Sequence, residues 1–189
     1  MIEVRTRVAV FASGTGTNFE AMMTSKDRNF DVVMLICDKP KAHVIGKAAG
    51  FGVETVVIDP KVFHSKKEYE KEIIKKLKRA NVQWIVLAGY MRIIGETLLD
   101  AYEGKIVNVH PSLLPSFPGK DAVGQALDAG VKVSGVTIHY VDEGVDTGPI
   151  IAQEPVTVFP NDTRDTLQER IQQVEHVLYT RVISELTKQ

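Results

Sequence analysis

The sequence predicts an α/β fold in which a mostly parallel, twisted sheet carries helices on both faces. Short apolar runs typical of buried parallel strands alternate with runs of helical apolar spacing through most of the chain. Near its end, two strand-like runs are separated only by an acidic, glycine-containing loop, which indicates an antiparallel pair. The expected strands cover residues 7–12, 31–37, 53–58, 84–88, 106–107, 133–141 and 149–158.

Helices are predicted between the strands from spacing, caps and glycine ends. A charged helix opens at the capping box Ser65-x-x-Glu68 and keeps apolar residues at helical spacing through Ala80. A long terminal helix opens after Asn161-Asp162-Thr163, whose side chains favour an amino-terminal cap. The other expected helices begin near Phe19 or cover residues 43–49, 96–102 and 122–129.

Composition indicates one ordinary globular domain over residues 1–189, with 44% apolar and 25% charged residues. The net charge of -1 argues against a general affinity for nucleic acid or for an anionic membrane. The single Cys37 is expected to be reduced and buried, so neither a disulfide framework nor a cysteine-rich metal site is predicted. The amino terminus lacks a targeting signal, and no apolar segment is long enough to span a bilayer. We therefore expect a cytoplasmic protein.

The run Asn108-Val109-His110-Pro111-Ser112-Leu113-Leu114-Pro115 has the pattern of a site at a strand end. Residues two apart on a strand point to the same face, so the Asn108 amide and the His110 imidazole can converge on one atom. The prolines then end the strand, and ligands of open α/β sheets bind beyond the carboxyl ends of strands. A turn with a surface histidine is the alternative interpretation.

A glycine-rich turn, Ser13-Gly14-Thr15-Gly16-Thr17-Asn18, joins the first strand to a helix. Backbone N–H groups and the helix dipole make such a turn an anion site. Phe19 stands where the dinucleotide fingerprint has its third glycine, so the turn suits a single phosphate better than a pyrophosphate. Asp38 nevertheless lies where a nicotinamide enzyme places its ribose-binding acid, and a dinucleotide-binding module stays an alternative.

Two further loops carry unusual composition. The segment from Gly89 to Ile94 is more apolar than a loop without a ligand usually is, although it could also be the entry to a core helix. The loop from Asp142 to Gly148 holds three carboxylates, which could be either functional or plain solvated acids.

Four separated motifs together resemble the phosphoribosylglycinamide formyltransferase family, the folate-dependent enzymes of purine synthesis. They occur in order, at compatible spacing, over nearly the whole chain. The motifs are Ser13-Gly14-x-Gly16-Thr17-Asn18, Leu87-Ala88-Gly89-Tyr90-Met91-Arg92-Ile93, the run from Asn108 to Pro115, and Asp142-x-Gly144-Val145-Asp146-x-Gly148-Pro149-Ile150.

The resemblance implies transfer of the formyl group of 10-formyltetrahydrofolate to the primary amine of glycinamide ribonucleotide, without a metal. It implies that protonated His110 and the Asn108 amide donate hydrogen bonds to the oxygen of a tetrahedral intermediate. Asp146 would then favour the imidazolium and relay the proton that leaves the amine.

The resemblance also implies where the two substrates bind. Gly16, Thr17, Asn18 and Glu175 would hold the ribonucleotide, the first three at its phosphate. The pterin ring of the folate would be enclosed by two loops, and Lys66 would lie near its tail. The implied folate-binding residues are Lys66, Met91, Arg92, Ile93, Ile94, Asn108, Asp142, Glu143, Gly144, Val145 and Asp146.

Related enzymes are disfavoured by particular residues. The tRNA formyltransferases resemble this core but follow the histidine with alanine, whereas Pro111 stands here, and they add a nucleic-acid domain. Formyltetrahydrofolate deformylases carry an extra amino-terminal regulatory domain, which is not expected before Arg7 here. They are therefore disfavoured but remain an alternative. We expect only small-molecule substrates, with no nucleic-acid or membrane partner, and a monomer or homodimer. The remaining histidines, interpreted as structural or surface residues, are His43, His64, His139 and His176.

Overall fold

The computed structural model describes residues 5–188. Their strands form one seven-stranded sheet. The strands are β1 (Thr6–Ala12), β2 (Phe30–Cys37), β3 (Glu54–Val57), β4 (Trp84–Leu87), β5 (Ile106–His110), β6 (Val133–Tyr140) and β7 (Ile150–Thr157). Their order across the sheet is β3-β2-β1-β4-β5-β6-β7. The four contacts among β1 to β5 are parallel, and β6 runs antiparallel to both β5 and β7. The amino terminus, where no targeting signal is expected, lies outside the described residues.

Helices cover both faces of this sheet. The α-helices are α1 (Thr17–Thr24), α2 (His43–Gly50), α3 (Lys66–Arg79), α4 (Glu96–Ala101), α5 (Ala122–Asp128) and α6 (Arg164–Leu186). One apolar cluster packs α1, α2, α5 and α6 against one face, and a second packs α3 and α4 against the other. Within residues 5–188 no helix combines the length and the apolar character needed to cross a membrane.

The predicted fold class is confirmed, and most element ends agree with the sequence pattern to within one or two residues. The predicted antiparallel pair is present as β6 and β7, and β6 also pairs with β5, which was not predicted. Because this pairing is antiparallel, the chain enters β6 at the edge of the sheet where it left β5. A short 3-10 helix at Pro60–Val62 was not predicted.

The order of the strands places a crevice at the carboxyl ends of β1, β4 and β5. The chain leaves β1 toward β2 and β3, then crosses to β4 on the other side of β1. Such a reversal of direction opens a crevice between neighbouring strand ends, where ligands of open sheets bind. The glycine-rich turn follows β1, the apolar loop follows β4, and His110 ends β5.

Candidate active site

A cavity of about 890 Å³ occupies this crevice and gathers nearly all the predicted site residues. All but two of the site residues predicted from the sequence line this cavity. Glu143 is exposed on the acidic loop outside the lining, and Lys66 is exposed on the first turn of α3. The predicted residues that line the cavity are Gly16, Thr17, Asn18, Met91, Arg92, Ile93, Ile94, Asn108, His110, Asp142, Gly144, Val145, Asp146 and Glu175.

At the centre of the cavity, Asp146 lies against His110. His110 is 5% exposed, and its Nδ1 lies 3.3 Å from Asp146 Oδ2. The same carboxylate oxygen accepts a hydrogen bond from the Gly119 amide at 2.8 Å. Asp146 has a φ of 56°, a left-handed conformation that aspartate tolerates better than most residues. The loop between β6 and β7 is thus bent so that its acid reaches the end of β5.

Both ring nitrogens of His110 face oxygen atoms that can only accept. Nε2 lies 2.8 Å from the Phe117 carbonyl oxygen, and Nδ1 faces the Asp146 carboxylate. This arrangement is satisfied by the doubly protonated ring, in which both nitrogens donate. Burial by itself raises the pKa of Asp146, but the nearby His139, the Gly119 amide hydrogen bond and the charge of His110 lower it below its usual value. Asp146 is therefore a carboxylate at neutral pH and complements an imidazolium.

His139 is a site residue that we expected to be structural or on the surface. It lies on β6 directly opposite Asn108 and is 2% exposed. Its Nδ1 lies 2.7 Å from the Tyr140 carbonyl oxygen and so carries a proton. Its Nε2 lies 3.2 Å from Asn108 Nδ2 and 3.6 Å from Asp146 Oδ1. His139 thus contacts two of the three groups that the resemblance makes catalytic.

On one side of this centre, the glycine-rich turn meets α6. Gly16 has a φ of 75°, and α1 begins at the next residue. Asn18 donates from Nδ2 to Glu175 Oε2 at 3.0 Å, while its Oδ1 is buried without a partner in the described structure. Burial raises the pKa of Glu175 to about 7, although the Asn18 hydrogen bond opposes the shift. An amide, an acid and free helix amides therefore face the cavity here.

On the other side lie the segment of residues 91–94, called the 91–94 strip below, and the acidic loop. Met91 and Ile93 expose 66% and 58% of their surface, but Ile94 is only 4% exposed. On the acidic loop, Val145 is 50% exposed and also lines the cavity. The Arg92 side chain is held by an ion pair, in which its Nε donates to Asp38 Oδ2 at 2.9 Å. The apolar surface on this side suits the faces of a flat ring.

Asp38 is not available for a nucleotide ribose. It is 6% exposed, and its oxygens accept hydrogen bonds from Ser13 and Arg92. The dinucleotide interpretation, which needed a free acid at this position, loses its support.

Comparison with known proteins identifies the family. The formyl transferase family model matches residues 6–183. The chain belongs to the formyl transferase family. The resemblance to phosphoribosylglycinamide formyltransferases that the four motifs predicted is confirmed.

Relatives in this family share the chain at high identity. Phosphoribosylglycinamide formyltransferase of Bacillus subtilis (strain 168) is 54% identical over 183 residues, which are 95% of this chain and 94% of that protein. The trifunctional purine biosynthetic protein adenosine-3 of Drosophila melanogaster is 42% identical over 96% of this chain, which spans 14% of that protein. The crystal structure of glycinamide ribonucleotide transformylase 1 from Geobacillus kaustophilus has a TM-score of 0.95 and 55% identity, covering 98% of this chain and 100% of that one.

Three groups at the centre of this formyl transferase site, beside His110 and Asp146, were not predicted from the sequence. The Phe117 carbonyl and the Gly119 amide are backbone groups, which have no residue signature. His139 could have been found, because strand alternation and a pairing of β6 with β5 would have placed it beside Asn108.

Proposed function

We propose that this formyltransferase moves the formyl group of 10-formyltetrahydrofolate to the primary amine of glycinamide ribonucleotide. The observation that carries the proposal is the meeting of Asn108, His110 and Asp146 around one cavity, with 3.3 Å between His110 Nδ1 and Asp146 Oδ2. The names of the relatives supply the substrate class, since glycinamide ribonucleotide stands in the name of one similar structure.

The reaction makes one bond to the formyl carbon and breaks another. The amine nitrogen attacks that carbon, and the carbonyl π electrons move onto oxygen to give a tetrahedral oxyanion. The carbon–N10 bond then breaks, and its electron pair stays on N10, which takes up a proton. The attacking nitrogen loses one proton, so the transfer releases no net proton. Catalysis therefore needs a stabiliser for the oxyanion and a route for one proton.

Asn108 and His110 are the donors proposed for the oxyanion. Asn108 Nδ2 now faces His139 Nε2 at 3.2 Å, and it has a second N–H for the substrate. His110 can donate to the oxyanion only if it gives up either its hydrogen bond to the Phe117 carbonyl or its ion-pair contact with Asp146. The contact with Asp146, at 3.3 Å, is longer than the 2.8 Å bond to Phe117 and is the weaker of the two. Its exchange would leave Asp146 free to accept the proton of the attacking amine.

The two sides of the cavity would hold the two substrates. The backbone N–H groups at Gly16 and Thr17, with the positive end of α1, suit the ribonucleotide phosphate. Asn18 would hold the same phosphate from the next position, and Glu175, which is bonded to Asn18, offers polar atoms to the rest of that substrate. The 91–94 strip and the loop that includes Asp142–Asp146 would enclose the pterin.

Some finer points belong to the same proposal. Lys66, exposed at the start of α3, would meet the folate tail only outside the cavity. Glu143 would likewise act from outside the lining. Small-molecule substrates, a cytoplasmic location, one domain over residues 1–189 and a monomeric or homodimeric state remain predictions.

The proposal is tested by following tetrahydrofolate released from 10-formyltetrahydrofolate, with and without glycinamide ribonucleotide. Release that depends on the ribonucleotide, with formylated ribonucleotide formed in equal amount, is the expected result. Release without the amine would mean hydrolysis and would assign the chain to deformylase chemistry instead. In the same assay, His110→Ala should slow the release of tetrahydrofolate. His64→Ala, which changes an exposed histidine, serves as its matched control.

A further inference from the structure

We infer that Asp38 is a positioning residue, which fixes the 91–94 strip through Ser13 and Arg92 and thereby sets the affinity for the folate. The inference rests on the proposed placement of the folate against that strip. Asp38 itself does not line the cavity, so it would act only through the groups that it holds.

Ser13 links Asp38 to the backbone of the strip. The Ser13 hydroxyl is buried and donates its single proton to Asp38 Oδ1. Because a carboxylate can only accept, this bond leaves an oxygen lone pair of Ser13 free for another donor. The Met91 amide donates to that oxygen at 2.9 Å. Asp38 thus orients the hydroxyl that holds the first residue of the strip.

Arg92 is a second link, one residue farther along. Its Nε donates to Asp38 Oδ2 at 2.9 Å, and its guanidinium carbon lies 5.9 Å from the centre of the Tyr69 ring. The Asp38 side chain is only 3% exposed, while that of Arg92 is 41% exposed. The buried carboxylate therefore anchors the partly exposed guanidinium.

The strip depends on such side-chain contacts because it lies outside regular structure. Residues 91–94 follow β4 and precede α4, with no strand partner or helical turn of their own. Two of their apolar side chains, Met91 and Ile93, stand out toward the cavity region. Losing the Asp38 contacts would let the backbone between these side chains shift, and a flat ring needs them at a fixed separation.

The ribonucleotide side has separate anchors. The Gly14 carbonyl accepts a hydrogen bond from the Val44 amide at 3.1 Å, and the Gly16 carbonyl accepts one from Glu20 at 3.0 Å. Asp38 contacts the glycine-rich turn only at Ser13, its first residue, and makes no hydrogen bond to Gly16 or Thr17 within the described residues. A positioning role for Asp38 therefore predicts a larger effect on the folate than on the ribonucleotide.

A matched pair of variants tests this. Asp162 is the control, because its side chain is also 3% exposed and also pairs with an arginine, Arg170, but does not line the cavity. Calorimetry with tetrahydrofolate gives the dissociation constant, and steady-state rates give the KM for each substrate. Asp38→Ala is expected to raise the dissociation constant about tenfold, with the KM for glycinamide ribonucleotide changed by less than about twofold. Asp162→Ala is expected to change neither.

Two gradations sharpen the test. Asp38→Asn keeps one acceptor oxygen and should give a smaller rise in the dissociation constant than Asp38→Ala. It also leaves a milder variant if Asp38→Ala does not fold, as checked by circular dichroism. In the double variant of Asp38→Ala and Ser13→Ala, the loss of affinity should be smaller than the product of the single losses, because both act on one chain of contacts.

Contrary results are separable. Equal losses of both substrates, or equal effects of Asp38→Ala and Asp162→Ala, would overturn a positioning role and leave only general destabilisation. If Asp38→Ala leaves tetrahydrofolate affinity unchanged while Met91→Ala and Ile93→Ala lower it, the inference about Asp38 falls and the folate placement stands. If Met91→Ala and Ile93→Ala also have no effect, the folate placement falls, and the inference falls with it.

Discussion

The two sides of the cavity are built in different ways. The side proposed for the ribonucleotide stands on regular elements, since Gly16 immediately precedes α1 and Glu175 lies within the 23 residues of α6. The side proposed for the folate consists of two irregular segments, the 91–94 strip and the loop after β6. Its order comes from isolated hydrogen bonds such as those of Ser13 with Met91 and of Asp142 with Gly144.

This difference predicts that substitutions on the two sides change different measured quantities. Substitutions on the ribonucleotide side disturb packed helices and should lower the free energy of unfolding. Substitutions on the folate side should change affinity while leaving the fold intact, since irregular exposed segments contribute little to the global free energy of unfolding. Substitutions on each side, and at the proposed catalytic centre between them, test this contrast.

The largest effect is expected at the centre. His110→Ala should lower kcat by about 10²–10⁴-fold, because it removes an oxyanion donor and the partner of Asp146. The dissociation constants of both substrates should stay nearly unchanged. Single-turnover rates with His64→Ala as the control check this, and a kcat close to that of the control would remove His110 from the mechanism.

Gly16→Ala should be the most destabilising change on the ribonucleotide side. The φ of 75° strains any residue with a Cβ, and the new Cβ would lie 2.5 Å from Val44 Cγ2. The free energy of unfolding in urea should fall by about 2–5 kcal/mol.

Gly144→Ala is the comparison on the folate side. Its new Cβ would meet the Thr147 hydroxyl, which belongs to an exposed side chain that can rotate away. The loss should be about 1 kcal/mol, mainly the Thr147 hydrogen bond to Asp142. Equal losses for Gly16→Ala and Gly144→Ala would contradict the contrast between the two sides.

Glu175 should make stability depend on pH. Its pKa is raised from 4.5 to about 7 in the folded protein, so the folded state holds a proton that the unfolded state has lost within that window. This contribution is fully present below pH 4.5 and is lost as pH rises to about 7, with a magnitude of up to about 3 kcal/mol. Urea denaturation at several pH values should show this slope reduced in Glu175→Gln. An unchanged slope would mean that Glu175 is ionised in the folded protein throughout.

Met91→Ala should have the smallest effect, confined to the folate. An exposed methionine that covers a ring face contributes about 1 kcal/mol, so tetrahydrofolate affinity should fall about fivefold with the free energy of unfolding unchanged. Val62→Ala, which shortens another exposed apolar side chain away from the cavity, is the control. Identical affinities for the two variants would place the folate elsewhere.

Local patterns allowed part of the site to be predicted. The apolar runs gave the strands, and the spacing of Asn108 and His110 on one strand placed both at its end. Groups that depend on long-range register were missed. His139 lies 31 positions after Asn108 in the sequence, and it reaches the site only because β6 pairs with β5. Likewise, the partner of Asp38 is Arg92, 54 positions away, which no local pattern indicates.

The single-turnover rate of Asp146→Asn, with both substrates saturating, tests the central claim most directly. Asparagine tolerates the left-handed backbone at this position as aspartate does, so the variant removes the negative charge with little strain. The formyl transfer rate is expected to fall by at least about 10²-fold while both dissociation constants hold. A rate equal to that of the unchanged protein would contradict the claim that the Asp146 carboxylate beside His110 carries the proton of the attacking amine.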